Sequence, residues 1–230
     1  MSGPDAAKEA AGRAGAACIA TGMRVGLGTG STVRHTILAL GQRDLDIECV
    51  ATSESTRELA ESLGLRVVAP DTAGALDVAV DGADEVDPAF NLVKGGGGAH
   101  TREKVVARMA ERFVVVVDGS KVVERLGDFG VPLEVLDFAP GVVRAWLEAL
   151  GAESVDPREQ RSDSGNLLLD ARFGPILDPA GLATTLSAVP GIVEHGLFPG
   201  EMVDRVIVGA PDGSVRDLSR DPTRNTPNSM

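Results

Sequence analysis

The sequence predicts an α/β protein: a doubly wound, mostly parallel Rossmann-like sheet carrying an inserted, smaller ferredoxin-like α+β domain. Three observations predict it. Short apolar runs alternate with segments of helical period through the first half of the chain, joined by short links, as parallel strands with crossover helices require. The run from Phe113 to Val117 is apolar without alternation, the pattern of a strand covered on both faces. From Val131 the rhythm becomes strand, helix, two strands, helix, strand, which is the β-α-β-β-α-β order of a ferredoxin-like module.

In order, residues 5–20 form an Ala-rich helix with Ala7, Ala10, Ala14 and Ala17 at helical spacing, and Met23 to Leu27 a strand. The turn Thr29-Gly30-Ser31-Thr32 opens a helix with Val33, Ile37 and Leu40 on one face. Ile47 to Ala51 is the next strand, and Ser55 with Glu58 fits a capping box for a helix ending near Gly64. Leu65 to Ala69 and Leu76 to Val80 are strands, Thr101 to Ala110 a helix, and Phe113 to Val117 the buried strand. In the second part, Val131 to Leu136 is a strand and Val142 to Leu150 a helix holding the single tryptophan, Trp146. Strands at 153–160 and 166–173 flank the turn Ser162-Asp163-Ser164-Gly165; a helix at Pro179 to Ala188 and a strand at Ile192 to Glu194 follow. Val203 to Val208 is expected to return to the first sheet. The expected division is 1–128 for the Rossmann-like domain, 129–200 for the ferredoxin-like domain and 201–210 for the return strand. Residues 211–230 are expected to be a disordered tail, because they are polar and lack an apolar period.

Length and composition bound the function. A chain of 230 residues can bury one large core with an insert. The N-terminal MSGPDAAKEAAGRAG lacks a signal peptide's charged start and apolar core, and no run reaches membrane-span length, so a cytoplasmic protein without membrane contact is expected. Cys18 and Cys49 have neither metal spacing nor the density of a disulfide framework and read as reduced thiols. His35, His100 and His195 are too scattered for a zinc site, and neither metal nor cofactor is expected. A net charge of −12 argues against nucleic acid as a partner, while leaving room for a local phosphate site.

The chemistry concentrates between Asp81 and Lys104. An apolar strand ends in two carboxylates, Asp81 and Asp84; Lys94 then leads into four glycines, and Glu103 falls in the first turn of the following helix. Consecutive glycines let backbone N–H groups face an oxyanion, and a helix N-terminus adds field of the same sign. The turn at 29–32 is neither a Rossmann fingerprint nor a Walker loop, since the third glycine and the Gly-Lys-Ser/Thr are missing; what remains is N–H and O–H donors suited to one phosphate or to capping a helix. That turn, the DGAD turn and Lys121 each follow a strand, so they can converge on the carboxyl edge of the sheet, where α/β proteins bind ligands. Lys8, taken alone, reads as a solvated lysine. The residues by themselves point to an enzyme or sensor for a small phosphorylated metabolite.

GLGTGST, TSEST, DGADEVD, KGGGGAHTREK, SKVVERLG, VPLEV, SDSGNLLLD and PGIVEHGLF resemble, in order, the motifs of the A-type ribose-5-phosphate isomerases, over about residues 8–208. The resemblance implies cofactor-free interconversion of D-ribose 5-phosphate and D-ribulose 5-phosphate in the pentose phosphate pathway, by a homodimer or homotetramer. It implies that Glu103 is the base, that Thr29, Gly30, Ser31 and Thr32, Asp81, Gly82, Ala83 and Asp84, and Lys94, Gly95, Gly96 and Gly97 are substrate loops, that Lys121 is a further binding lysine, and that Lys8 approaches the phosphate. His100 departs from an apolar side chain in relatives. Lys94 with the Gly95 to Gly97 amides would hold an enediolate, Asp81 or Asp84 would handle hydroxyl protons and ring opening, and the helix N-terminus would keep Glu103 ionised. Two other classes compete: a sugar-phosphate sensor of related fold, which would need a DNA-binding partner domain, and an acyl or CoA transferase, which would need a larger cofactor region.

Overall fold

The computed structural model describes residues 3–219. In succession the chain forms α1 (Pro4–Ala17), β1 (Arg24–Leu27), α2 (Ser31–Gly41), β2 (Glu48–Ala51), α3 (Glu54–Ser62), β3 (Arg66–Val67), α4 (Pro70–Ala73) and β4 (Val78–Asp81). Two short strands, β5 (Glu85–Val86) and β6 (Leu92–Val93), precede α5 (His100–Met109) and β7 (Phe113–Asp118). Then come β8 (Val131–Val135), α6 (Pro140–Ala149), β9 (Ser154–Arg161), β10 (Leu167–Arg172), α7 (Pro179–Ser187) and β11 (Ile192–His195), followed by β12 (Leu197–Phe198), β13 (Arg205–Gly209) and β14 (Val215–Ser219).

The main sheet has the order β14-β13-β7-β4-β1-β2-β3 and is parallel except for β14. The chain runs outward from β1 through β2 to β3, then returns to place β4 and β7 on the other side of β1. The order therefore reverses between β1 and β4, where such sheets open a crevice. β7 lies between β4 and β13 and sends alternate residues to two cores. Val114 and Val116 join Val25, Leu27, Val33 and Ile37 beneath α1 and α2, while Phe113, Val115 and Val117 join Leu92, Val106 and Phe198 on the opposite face. This is why the strand has no polar position to alternate with. The second sheet, β11-β8-β10-β9, is antiparallel and backed by α6 and α7, with Leu133, Leu147, Leu169 and Leu186 in its core. Its β-α-β-β-α-β order is that of the expected ferredoxin-like module.

The structure departs from expectation in four places. The cap of α3 is Ser53, whose Oγ accepts the Thr56 N–H at 3.1 Å; Ser55 lies two residues too late, inside the first turn. The strand expected at 65–69 shrinks to Arg66–Val67, because Pro70 opens α4. The strands β5, β6 and β12 form a small third sheet too short to carry a period. Finally, the first part of the expected tail is a β-hairpin: β14 pairs with β13 along its length, and Arg205 pairs with Asp217 across it. An edge strand solvated on most of its surface keeps polar residues, so composition alone hides it. Residues 220–230 of the expected tail lie outside the described residues. Cys18 and Cys49 are free thiols, and no described helix is long and apolar enough to cross a membrane.

Candidate active site

Three neighbouring strands, β7, β4 and β1, end on one edge of the sheet, and their carboxyl ends build the site. Asp81 is the last residue of β4 and is 2% exposed. Its Oδ1 accepts the N–H groups of Gly82 (2.7 Å) and Thr29 (3.2 Å). Residue 28 must be glycine, since a Cβ there would lie 1.9 Å from that same oxygen. Lys94 follows β6 and is likewise buried. Its N–H is tied to the Gly196 carbonyl (2.8 Å), and its Nζ donates to the Gly82 carbonyl at 2.6 Å. The ammonium lies 3.0 Å from Asp81 Oδ2 and 3.1 Å from Glu103 Oε2, with the Phe198 ring at 5.5 Å. Glu103 reaches this point because it is the fourth residue of α5, its N–H bonded to the Ala99 carbonyl at 2.9 Å.

One buried cation between two buried carboxylates fixes the electrostatics. Burial alone would push Lys94 toward the neutral amine, but the Asp81 and Glu103 carboxylates outweigh it and hold the ammonium above its ordinary value. Burial raises both acids; Asp81 is pulled back by Lys94 and by the two backbone donors on it. Glu103 has no such donors. Its Oε2 faces the ammonium without a hydrogen bond in good alignment, and burial together with the Asp81 charge pushes it up to about 8, against the opposing pull of Lys94. This corrects the expectation that the helix N-terminus keeps Glu103 ionised. A helix terminus contributes roughly 0.3–1 kcal/mol and is outweighed here by loss of solvent and a like charge.

The glycine loop is held by its neighbours. Gly95 has φ +111°, and a Cβ there would lie 2.7 Å from His100 Nδ1, so its glycine is required both by conformation and by space. His100 is fully buried, with Nε2 3.3 Å from the Glu194 carbonyl, and burial holds its pKa down to about 4. It therefore supports the loop as a neutral ring, in place of the expected apolar side chain. Asp84 Oδ2 accepts the Gly96 N–H at 2.8 Å, and Gly98 N–H turns back to the Gly95 carbonyl at 2.9 Å. Two of the loop's amides are thus already occupied.

A cleft of about 130 Å³ lies in front of these groups. It is lined by residues 29–32, 82–84 and 94–97 with Lys8, Glu103 and Lys121. Of the residues singled out in the sequence, only Asp81 stands behind the wall. Helix α2 starts at Ser31 without a side-chain cap, Ser31 is exposed, and Thr32 is buried at the cleft's end. Thr29 turns its hydroxyl away from this turn, into a cluster with Thr52 (2.8 Å), Ser53 (2.8 Å) and Thr56 (3.0 Å). Lys121 rests its Nζ 5.9 Å from the Phe129 ring.

Sequence reasoning missed Asp118, which closes β7 as Asp81 closes β4 and also lines the cleft. The signal was there: in both cases a carboxylate ends an apolar run. It also passed over the choice of cation. The chain has eighteen arginines and four lysines; Lys8, Lys94 and Lys121 line the cleft, and Lys104 is buried with its Nζ 4.9 Å from the centre of the Phe198 ring. Among the described residues no group of three or more His, Cys, Asp or Glu is placed to hold a metal ion.

Comparison with known proteins bears on this arrangement. The family model of ribose 5-phosphate isomerase A (phosphoriboisomerase A) matches residues 48–213. A ribose-5-phosphate isomerase A of Thermomicrobium roseum is 45% identical over 96% of the chain and 97% of its own length; one of Haloarcula marismortui is 46% identical over 95% and 98%. Among solved structures, ribose 5-phosphate isomerase A from Neisseria gonorrhoeae superposes with a TM-score of 0.91 at 33% identity, covering 95% of this chain and 98% of that one. A D-ribose-5-phosphate isomerase in complex with phospho-erythronic acid superposes with a TM-score of 0.88 at 36% identity, covering 93% and 97%.

Proposed function

The chain belongs to the ribose 5-phosphate isomerase A family, and on that premise we propose that Glu103 is the single base by which it performs the family's reaction. It is an aldose–ketose isomerase interconverting D-ribose 5-phosphate and D-ribulose 5-phosphate, a step of the pentose phosphate pathway. One observation carries the assignment of roles: the Lys94 ammonium, buried between Asp81 and Glu103 at 3.0 and 3.1 Å on the wall of the cleft.

Isomerisation removes the proton from carbon 2 and returns it to carbon 1 through an enediolate. Ionised Glu103 takes the proton and becomes neutral as the negative charge passes to the substrate oxygens. Lys94, released from one of its two carboxylate partners, then faces that oxyanion. The net charge of the buried cluster stays the same throughout, so the site need not reorganise when the charge moves. A base with a pKa of about 8 is also strong enough to meet a carbon acid partway and weak enough to give the proton back.

Asp84 is the better candidate for hydroxyl protons and ring opening. It lines the cleft and uses one oxygen on Gly96, whereas both Asp81 oxygens are engaged behind the wall. Asp81 holds Lys94 charged and in place. Ser31, Thr32 and the uncapped start of α2, with Lys8 and Lys121, bind the phosphate, whose remote binding energy aligns the reacting carbons. In this reading Lys94 and backbone amides meet the developing charge and no metal is required. The protein acts in the cytoplasm as a homodimer or homotetramer. A sensor has no use for a buried base with a raised pKa, so the alternative reading has no observation in its favour.

Replacing Glu103 by Gln tests the assignment. The shape is kept and the proton acceptor lost, so turnover should fall roughly 10²–10⁴-fold, with ribose 5-phosphate binding retained. Near-normal turnover would rule Glu103 out as the base.

A further inference from the structure

One side chain that grips the glycine loop comes from outside the catalytic sheet. Arg158, on β9 of the ferredoxin-like module, reaches the loop with one end of its guanidinium: Nη1 donates to the carbonyls of Gly95 (2.8 Å) and Gly96 (3.1 Å). Its other two nitrogens are locked on Asp170 of β10, Nε to Oδ2 at 2.8 Å and Nη2 to Oδ1 at 2.6 Å. The side chain is 13% exposed. A planar fork held on both sides in this way has little freedom left.

The consequence follows from peptide geometry. The peptide groups here are trans, so each C=O points opposite to the N–H of the same peptide. The peptide joining Gly95 to Gly96 is gripped at both ends, its carbonyl by Arg158 and its N–H by Asp84 Oδ2 at 2.8 Å. The next peptide has its carbonyl on Arg158 as well, which turns the Gly97 N–H toward the Asp84 side, where the cleft lies. Gly97 is exposed there, and its N–H has no partner among the described residues. Without Arg158, two adjacent glycines would leave that peptide free to rotate.

We propose that Arg158 is a positioning residue for the isomerisation: it aims the Gly97 N–H at the enediolate oxygen, making this amide a second oxyanion donor beside Lys94. The proposal rests on the reading of the glycine loop as the oxyanion site, and narrows that reading by removing the Gly96 amide, which Asp84 holds, and assigning the role to Gly97. It also gives the inserted module a part in catalysis through the Arg158–Asp170 pair.

The test compares Arg158→Gln, Arg158→Lys and Asp170→Asn with the unaltered protein, and runs Lys94→Met in parallel. Four quantities are measured: kcat, KM for ribose 5-phosphate, the inhibition constant of phospho-erythronic acid, and the affinity for a pentitol 5-phosphate. Phospho-erythronic acid carries a carboxylate where the enediolate oxygens form; the pentitol keeps phosphate and hydroxyls but has no oxyanion. Loss of a single oxyanion donor or a misplacement near 1 Å lowers rates on the order of 10²-fold, so Arg158→Gln should reduce kcat by about 10–100-fold. Phospho-erythronic acid binding should weaken by a similar factor, while KM and pentitol affinity change less than about threefold. Arg158→Lys should recover part of the loss, since an ammonium can hold one carbonyl but cannot also fork onto Asp170. If Arg158→Gln fails to fold, Asp170→Asn, which keeps the arginine but loosens it, should move the same two quantities in the same direction. Unchanged kcat, or equal weakening of both ligands with a raised KM, overturns the proposal. If Lys94→Met alone lowers turnover and phospho-erythronic acid binding, Arg158 has no such role but the oxyanion reading stands. If neither variant lowers them, both fall.

Discussion

The pH dependence of the reaction offers the sharpest test of the buried cluster. With its pKa pushed up to about 8, Glu103 is mostly protonated in the free protein at pH 7, and only the ionised fraction can accept a proton from carbon 2. Simple titration then gives about a tenth of the base form at pH 7 and about nine tenths at pH 9. The value of kcat/KM, which reports the free protein, should therefore rise about tenfold between pH 7 and 9 and level off above. A phosphate monoester titrates near pH 6, so the limb between 7 and 9 belongs to the protein. Lys94→Met removes the cation that opposes the rise, so the limb should move upward and the rate at pH 7 should fall sharply. The same shift acts on stability with the opposite sense: folded Glu103 holds a proton that an unfolded glutamate releases near its ordinary 4.5, so stability present below that value is lost as pH rises toward 8. The assay is initial-rate kinetics in constant-ionic-strength buffers. A flat kcat/KM from pH 7 to 9, or the same limb surviving in Glu103→Gln, would refute the account.

Two further outcomes are expected. Ser31→Ala combined with Thr32→Val should weaken ribose 5-phosphate binding strongly and leave unphosphorylated ribose, a poor ligand from the start, almost unaffected; equal losses for both sugars would deny the start of α2 its role with phosphate. Activity should survive exhaustive EDTA treatment, because Lys94 and backbone amides supply the positive field in the proposed mechanism; loss of activity restored by zinc or magnesium would contradict it.

The parts of the site that could be read from the sequence are those set by local order. Asp81 ends an apolar run, the glycines precede a helix, and Glu103 falls in that helix's first turn; once the alternation of strands and helices implies a parallel sheet, these pieces must meet at its carboxyl edge. What stayed hidden depends on partners far away in the chain. The raised pKa of Glu103 comes from its own burial and from the Asp81 charge, against the pull of Lys94, and both depend on segments that meet only in the folded chain; the helix end by itself points the other way. Arg158 reads as an ordinary charge on an exposed strand until the module folds back over the loop. The hairpin strand at 215–219 was invisible because its stabilisation lies mainly in backbone pairing with β13 and in the Arg205–Asp217 contact, with Leu218 alone of its residues packed on the core.

The place of β7 in the main sheet has a consequence for biosynthesis. Its run of valines is flanked on one edge by β4, already made when β7 emerges, and on the other by β13, which is made some ninety residues later. Until then the apolar, strongly β-forming edge from Phe113 to Val117 stays uncovered, the type of segment that recruits like strands from other chains. The ferredoxin-like module is translated in that interval. Chains cut short before Arg205 would contain the glutamate, both aspartates and the lysine of the site, yet they should gather into insoluble material. The strand Arg205–Gly209 thus protects the nascent protein from self-association, a task separate from any chemistry at the cleft.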